Sequence, residues 1–158
     1  MKSLNLPSYP FRISEINGKP FIFDLLRRKD VALTPEEWVR QHFVRFLISA
    51  RSFPPERMAN EVGIHLNNTS KRCDTVVYDD FLIPLVIIEY KAPDVPVTND
   101  VFIQIARYNA ALHVPFLMVS NGIQHYCCRI DYQTMEYRFL DDIPTYSDIH
   151  PKKTSINC

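Results

Sequence analysis

Two short apolar segments, residues 72–78 and 84–91, most constrain the fold of this chain, because both carry charge within strand-like sequence. The second segment is an aliphatic, β-branched run that ends in Glu89 and Lys91. An unbroken run of this kind predicts a strand that is buried on both faces. Because strand side chains alternate between faces, Glu89 and Lys91 share one face at the strand end. Asp74 lies early in the preceding predicted strand.

A carboxylate on each of two neighbouring strands, with a lysine beside one of them, predicts a metal site. Magnesium binds oxygen ligands and often uses one or two carboxylates together with phosphates and water. Lys91 would add a positive group that orients a water or stabilises developing negative charge. The residues alone leave one alternative open. In that alternative Glu89 pairs with Lys91 at the sheet edge, and Asp74 bonds to Lys71 or Arg72.

The composition is that of an ordinary single globular domain. The chain has 158 residues, with 18 basic and 18 acidic side chains, and this length suffices for one core. The charge balance argues against nucleic-acid binding by bulk charge alone. No apolar run reaches membrane-spanning length and no signal-peptide pattern is present, so we expect a cytoplasmic protein without a membrane partner. The four cysteines lack metal-ligand spacing and are expected to be free thiols.

The order of predicted elements indicates a mixed α/β fold. Asn17 and Gly18 predict the turn of an N-terminal β-hairpin, and Thr34 predicts the cap of a helix that runs to about residue 51. Further strands are predicted at residues 59–66, 73–78, 84–91, 115–120, 123–130 and 135–140, with a second helix at residues 100–112. Because that helix joins residues 84–91 to residues 115–120, these two strands should be parallel neighbours.

Helical spacing adds a third acidic candidate. Glu36 lies three residues before Val39 and seven before Phe43, so it is predicted to face inward. Glu37 is rotated by about 100° from it and is explained by a capping box with Thr34. Fraying of the first turn would leave Glu36 solvated instead. The predicted buried face of the second helix comprises Val101, Ile105, Tyr108 and Leu112.

Four segments that occur in a fixed order resemble a known nuclease family. They are residues 34–40 (TPEEWVR), 72–78 (RCDTVVY), 86–93 (VIIEYKAP) and 104–109 (QIARYN). Together they are similar to the N-terminal nuclease domain of type I restriction enzyme R subunits. Asp74, followed by Glu89 and Lys91, resembles the PD-(D/E)xK motif of the restriction-endonuclease-like nucleases. The resemblance covers residues 34–122.

The resemblance implies a restriction-endonuclease-like fold, in which a mixed central β-sheet is flanked by helices, here with an N-terminal β-hairpin added. It also implies a division of the chain. Residues 1–33 would be a hairpin extension packed on the core, residues 34–145 the nuclease-like core, and residues 146–158 an irregular tail.

The resemblance further implies roles for individual residues. Asp74 and Glu89 would bind Mg²⁺, helped by the backbone carbonyl of Tyr90, and Mn²⁺ is expected to substitute. Lys91 would position or activate the attacking water. The remaining site candidates are Glu36, with Glu37 as its alternative, and the pair Gln104 and Tyr108, which share one helix face.

Two departures from the family pattern shape the functional hypotheses. Cys73 stands where the motif has proline, which removes no ligand. No GxxxxGK[ST] phosphate loop is present, so the ATP-driven motor of an R subunit is not expected in this chain. The leading hypothesis is a Mg²⁺-dependent DNA endonuclease-like domain, with DNA, other restriction-system subunits or a motor protein as partners, and pairing into a homodimer. The alternatives are a catalytically silent nucleic-acid-binding or partner-docking module and a purely structural domain.

Overall fold

A computed structural model describes residues 1–66 and 68–151, which form two β-sheets and three α-helices. The strands are β1 (Ile13–Ile16), β2 (Lys19–Asp24), β3 (Lys29–Ala32), β4 (Met58–Leu66), β5 (Thr69–Tyr78), β6 (Pro84–Tyr90), β7 (Phe116–Ser120), β8 (His125–Asp131) and β9 (Glu136–Phe139). The helices are α1 (Pro35–Arg51), α2 (Asn99–Asn109) and α3 (Tyr146–Ile149). Strands β1–β3 form one sheet, and β4–β9 form a six-stranded sheet in sequence order.

The six-stranded sheet is mixed because one of its connections is a crossover. Strands β4, β5 and β6 are antiparallel neighbours, as are β7, β8 and β9. Strands β6 and β7 are parallel, with Glu89 opposite Val119, and α2 lies in the connection between them. This arrangement confirms the predicted parallel pair and the predicted mixed α/β sheet.

Helix α1 begins where the sequence predicts and covers one face of the central sheet. The Thr34 hydroxyl accepts a hydrogen bond from the backbone N–H of Glu37 (3.1 Å), and Pro35 stands in the first turn. The helix ends at Ser52, whose left-handed backbone forms the C-terminal cap. The buried cluster on this face includes Val39, Phe43 and Leu47 of the helix and Val77, Val86, Ile88 and Met118 of the sheet.

Helix α2 covers the opposite face, but it is rotated from the predicted orientation. Phe102 and Ala106 are buried against the sheet, together with Val76, Ile87, Leu117 and Val119. Tyr108, which was predicted to be buried, is 53% exposed, and Val101 and Ile105 are only half-buried. Leu112 is buried as predicted, and Ile105 packs against the same cluster. The prediction was wrong for Tyr108, because two adjacent apolar stripes run along the helix. The small side chain of Ala106 lets the second stripe approach the sheet closely.

The predicted N-terminal hairpin is confirmed, and a third strand extends it. Strands β1 and β2 pair across a turn in which Asn17 (φ 52°) and Gly18 (φ 74°) are both left-handed. Strand β3 pairs with β2 on its other side. The buried Asp24 carboxylate at the end of β2 accepts a hydrogen bond from Asn60 Nδ2 in β4 (2.9 Å). The small sheet is therefore joined to the central sheet by a buried polar contact.

The C-terminal segment contains a short helix within the region predicted to be an irregular tail. Helix α3 is capped by Thr145 and Asp148, which bond to each other's backbone N–H groups. Its Ile149 joins the buried cluster beneath α1. Residues 152–158 of the predicted tail lie outside the described residues.

The structure bears on what the composition predicts for the cysteines and for membrane-spanning segments. Cys73, Cys127 and Cys128 are free and buried, as predicted, whereas Cys158 lies outside the described residues. Within the described ranges, no helix is both long enough and apolar enough to cross a membrane.

Truncation of a fully buried side chain of α1 tests this packing. We expect Leu47→Ala to lower the free energy of unfolding by about 2–5 kcal/mol, because it removes buried apolar contacts and leaves a cavity. Urea denaturation measures the change. Ser49→Ala, at an exposed position of the same helix, is the matched control and should leave the midpoint nearly unchanged. Similar midpoints for both variants would contradict the packing of α1 on the sheet.

Candidate functional site

Asp74 and Glu89 meet on two neighbouring central strands. The antiparallel pairing of β5 with β6 reaches Thr75 opposite Ile88, and Asp74 and Glu89 are the next residues beyond that pair. Asp74 Oδ2 accepts a hydrogen bond from the backbone N–H of Tyr90 (2.9 Å). The two carboxyl groups are close enough for the charge of Asp74 to raise the pKa of Glu89. The structure thus brings together the pair that the sequence singled out.

Lys91 follows directly at the end of β6. Its backbone N–H donates to the carbonyl of Ser120 in β7 (2.9 Å), which extends the parallel ladder by one residue. Its positive charge lowers the pKa of Glu89, although the larger opposing effects outweigh it. The chain therefore holds an ammonium group near the two carboxyl groups.

Glu89 carries the strongest electrostatic perturbation of the site. Desolvation first, and then the neighbouring Asp74 carboxylate, raise its pKa to about 9. Its Oε1 atom is buried and has no hydrogen-bond partner. A buried polar oxygen without a partner is costly and points to a functional role.

The structure does not contain the ion pairs of the alternative interpretation. Across the described ranges, no ion pair joins Lys91 to Glu89, or Asp74 to Lys71 or Arg72. Arg72 instead binds Glu61 (2.7 Å). The ammonium of Lys71 lies 3.8 Å from the centre of the Tyr108 ring. The carboxylate pair is thus not explained by a simple ion pair at the sheet edge.

Tyr90, which lies between Glu89 and Lys91 in the sequence, anchors β6. Its hydroxyl donates to Thr75 Oγ1 (3.0 Å), and the Thr75 hydroxyl donates to Asn60 Oδ1 (2.6 Å). Asn60 in turn donates to Asp24. All four side chains are buried, so this chain of bonds holds β6 in place and leaves the Tyr90 backbone beside Asp74.

Arg40 is a site residue that sequence analysis missed. It is 5% exposed, and its Nη1 donates to the backbone carbonyl of Asp74 (3.3 Å). Its guanidinium lies 5.7 Å from the centre of the Tyr90 ring. The available signal was its position three residues before Phe43 and seven before Leu47, which puts a charged side chain within the apolar face of α1.

The prediction that Glu36 faces inward was wrong. Glu36 is exposed, whereas Glu37 is 7% exposed. Helical side chains tilt toward the N-terminus of the helix. The side chain of a first-turn residue such as Glu36 therefore points beyond the part of the helix that packs on the sheet. Glu37 is buried because Arg27, from the N-terminal sheet, binds it (2.5 Å), and Gln41 Nε2 donates to it (2.9 Å). Glu37 therefore binds Arg27 and Gln41 instead of completing the predicted capping box. Of that box only the hydrogen bond from the Glu37 N–H to the Thr34 hydroxyl is formed.

Gln104 and Tyr108 lie on the outer side of α2. Both are exposed, and Tyr108 carries the ammonium of Lys71 over its ring. The structure therefore does not bury Gln104, and it places this pair on a surface that borders β5.

The donor set fits a magnesium ion held by two carboxylates. Among the described residues, no three His, Cys, Asp or Glu side chains are grouped so that they could hold a metal ion. Magnesium requires only one or two protein carboxylates when water and phosphate complete its shell. The unpartnered Oε1 of Glu89 supports the fit, because a cation would supply its missing partner and offset the repulsion from Asp74.

Comparison with known proteins identifies related sequences and folds. The family model described as type I restriction enzyme R protein N terminus matches residues 35–144. That range contains Asp74, Glu89 and Lys91. No curated protein sequence matches the chain significantly.

A solved structure shares the fold. It is the fragment structure of a putative HsdR subunit of a type I restriction enzyme from Vibrio vulnificus YJ016, with a TM-score of 0.52 and 21% sequence identity. The similar region covers 74% of this chain and 24% of that chain. The region shared with this chain is therefore about a quarter of the Vibrio chain.

The raised pKa of Glu89 makes a prediction for stability. Its folded-state pKa of about 9 exceeds its ordinary value of 4.5, so the folded protein binds a proton more tightly than the unfolded chain. The free energy of unfolding should therefore fall as pH rises from about 4.5 to about 9. Glu89→Gln removes this titration, and we expect it to be about 1–3 kcal/mol more stable than wild type at pH 8 in the absence of metal.

Urea denaturation at pH 5 and pH 8 measures the effect. The exposed substitution Glu36→Gln is the matched control and should follow the wild-type pH dependence. If Glu89→Gln also followed the wild-type dependence, Glu89 would not be the perturbed group.

Proposed function

We propose, because this chain belongs to the family of type I restriction enzyme R protein N-termini, that it is a Mg²⁺-dependent DNA endonuclease domain of the PD-(D/E)xK class. The observation that carries the proposal is the half-buried carboxyl pair of Asp74 and Glu89, in which Oε1 of Glu89 is buried without a hydrogen-bond partner. Such a pair is unfavourable for stability alone, and a divalent cation would relieve it. Mn²⁺ should substitute for Mg²⁺.

Each residue of the candidate site would have a separate role in the reaction. Asp74 and Glu89, with the Tyr90 carbonyl, would hold the ion, which when bound supplies positive charge to the scissile phosphate. The hydrogen bond from the Tyr90 N–H to Asp74 fixes the orientation of that carboxylate. Lys91 lies beside the pair and would orient the attacking water by donating a hydrogen bond to it. The ladder contact of its backbone with Ser120 limits the movement of the strand end.

The proposed partners rest on the family relation. The region shared with the Vibrio fragment is 24% of that chain, and we propose that this chain acts on DNA together with other restriction-system subunits or a motor protein. We also propose a cytoplasmic location. Cleavage of both DNA strands would require two such sites, which a homodimer would provide.

A catalytically silent nucleic-acid-binding or partner-docking module is the second candidate. Two observations favour it: the lack of a third metal-binding side chain near the pair among the described residues, and a formal net charge of zero. Calorimetric titration with Mg²⁺ or Mn²⁺ separates the two candidates. Metal binding that is lost in Asp74→Ala supports a working site, whereas DNA binding without any metal binding supports the silent module.

Cleavage of plasmid DNA tests the proposed activity directly. We expect Asp74→Ala and Lys91→Ala to lower the Mg²⁺-dependent cleavage rate by about 100-fold or more, because each removes a group that acts at the phosphate or its water. Gel analysis of the supercoiled substrate gives the rate. Glu15→Ala, at an exposed position of β1, is the control and should cleave like wild type. Equal rates in all four proteins would identify a contaminating nuclease and refute the proposal.

The exposed pair on α2 is expected to contact the DNA rather than the metal. Tyr108→Ala and Gln104→Ala should raise KM for DNA, while the Mg²⁺ affinity stays at the wild-type value, because both side chains are exposed on α2 and Tyr108 contacts Lys71. Steady-state cleavage and metal titration measure the two quantities. Phe81→Ala, at an exposed position in the turn between β5 and β6, is the control. A loss of metal affinity in Tyr108→Ala would contradict this assignment.

A further inference from the structure

Arg40 connects the carboxyl pair to the rest of the fold by direct contacts. Its Nη1 donates to the Asp74 carbonyl (3.3 Å), and its Nη2 forms an ion pair with Glu61 Oε1 (2.5 Å). Its Nε lies 3.5 Å from Glu37 Oε2. The Nε atom itself has no hydrogen-bond partner, so its contact with Glu37 is one of charge. A guanidinium is planar and presents its donors in a fixed fork, so the two hydrogen bonds from Nη1 and Nη2 define its orientation. The Asp74 backbone is thereby bonded to a buried side chain that Glu61 also binds.

Glu61 adopts a backbone conformation that is unusual for its residue type. It lies within β4, yet its φ is 56°, in the left-handed region. The pairing of β4 with β5 passes from Asn60 opposite Thr75 to Val62 opposite Cys73, and the position between these pairs holds Glu61 and Asp74. A left-handed conformation is unfavourable for a non-glycine residue and persists where surrounding contacts support it. Glu61 forms ion pairs with Arg40 and Arg72 at this position.

The same ion-pair chain reaches the N-terminal sheet. Arg27 binds both Asp24 and Glu37, and Glu37 faces Arg40. Charges therefore alternate along the series Asp24, Arg27, Glu37, Arg40, Glu61 and Arg72. Breaking a buried pair of this kind leaves an uncompensated charge, so each member restrains its neighbours.

We infer that Arg40 and Glu61 are positioning residues for the carboxyl pair. Arg40 binds the Asp74 carbonyl and so fixes the position of the Asp74 backbone relative to β6. Glu61, whose backbone is left-handed, binds Arg40 and so fixes the position of its guanidinium. The inference rests on the proposed metal site. It states that the contact between Arg40 in α1 and Glu61 in β4 sets the geometry of that site. Neither residue is expected to touch the metal or the DNA.

Metal affinity is the quantity that a positioning role would change. Loss of a group that orients a metal ligand typically weakens metal binding by 10- to 100-fold. We therefore expect Arg40→Lys, which keeps the charge but loses the fork, to raise the Mg²⁺ dissociation constant by about 10- to 100-fold. Saturating Mg²⁺ should restore most of the DNA cleavage rate, because the chemical groups themselves remain.

The experiment compares the full chain with three variants by calorimetric Mg²⁺ titration, thermal melting and cleavage at increasing Mg²⁺. Glu61→Gln is the second positioning variant, chosen because it keeps the side-chain shape and tolerates folding better than a truncation. Arg45→Lys is the matched control on the same helix, where Arg45 lies over the Phe11 ring away from the site. It should bind Mg²⁺ like wild type.

The outcomes separate this inference from the proposed function. Weaker Mg²⁺ binding in Arg40→Lys and Glu61→Gln, with rescue of cleavage at high Mg²⁺, supports it. Lower melting temperatures with an unchanged dissociation constant would mean that the contacts are merely structural and would overturn it alone. Failure of wild type to bind Mg²⁺ at all would overturn both the inference and the proposed function.

Discussion

The closeness of the Asp74 and Glu89 carboxyl groups on neighbouring strands is the constraint around which the candidate site is built. Desolvation and the neighbouring carboxyl group raise the pKa of Glu89, so this strand end opposes folding while the aliphatic residues before it favour folding. The cost is offset only in part, by the Tyr90 N–H that binds Asp74 and by the charges of Lys91 and Arg40. A strand selected for stability alone would carry an apolar side chain there. The cost is therefore consistent with a site that binds a cation.

The elements around this pair serve to hold it rigidly. Helix α1 supplies an apolar face to the sheet and, within that face, the buried Arg40 that reaches the Asp74 carbonyl. The hydrogen-bond chain from Tyr90 through Thr75 and Asn60 ends at Asp24 in the N-terminal sheet. The hairpin region is therefore connected to the centre of the fold by buried polar contacts. Functional groups that are supported by helices and strands in this way are held more precisely than groups on loops.

Local signals predicted much of the fold, and their failures have physical causes. The start of α1 followed from Thr34 and Pro35, and the hairpin from Asn17 and Gly18, because caps and tight turns depend on a few adjacent residues. The parallel pairing of β6 with β7 followed from chain connectivity. The exposure of Glu36 and the rotation of α2 could not be predicted in this way. Both depend on which neighbouring element covers a helix face, and periodicity does not contain that information.

By itself, the sequence determined that Asp74, Glu89 and Lys91 stand on two strands, with Glu89 and Lys91 on one face, because strand alternation is local. The tertiary structure decided that Asp74 lies close enough to Glu89 to raise its pKa, and that Oε1 of Glu89 is buried without a hydrogen-bond partner. It also decided that Arg40, rather than Glu36, approaches the site. The partners of Arg40 come from β4, β5 and α1. Ion pairs form between groups that the fold brings within a few ångströms, whatever their separation along the chain.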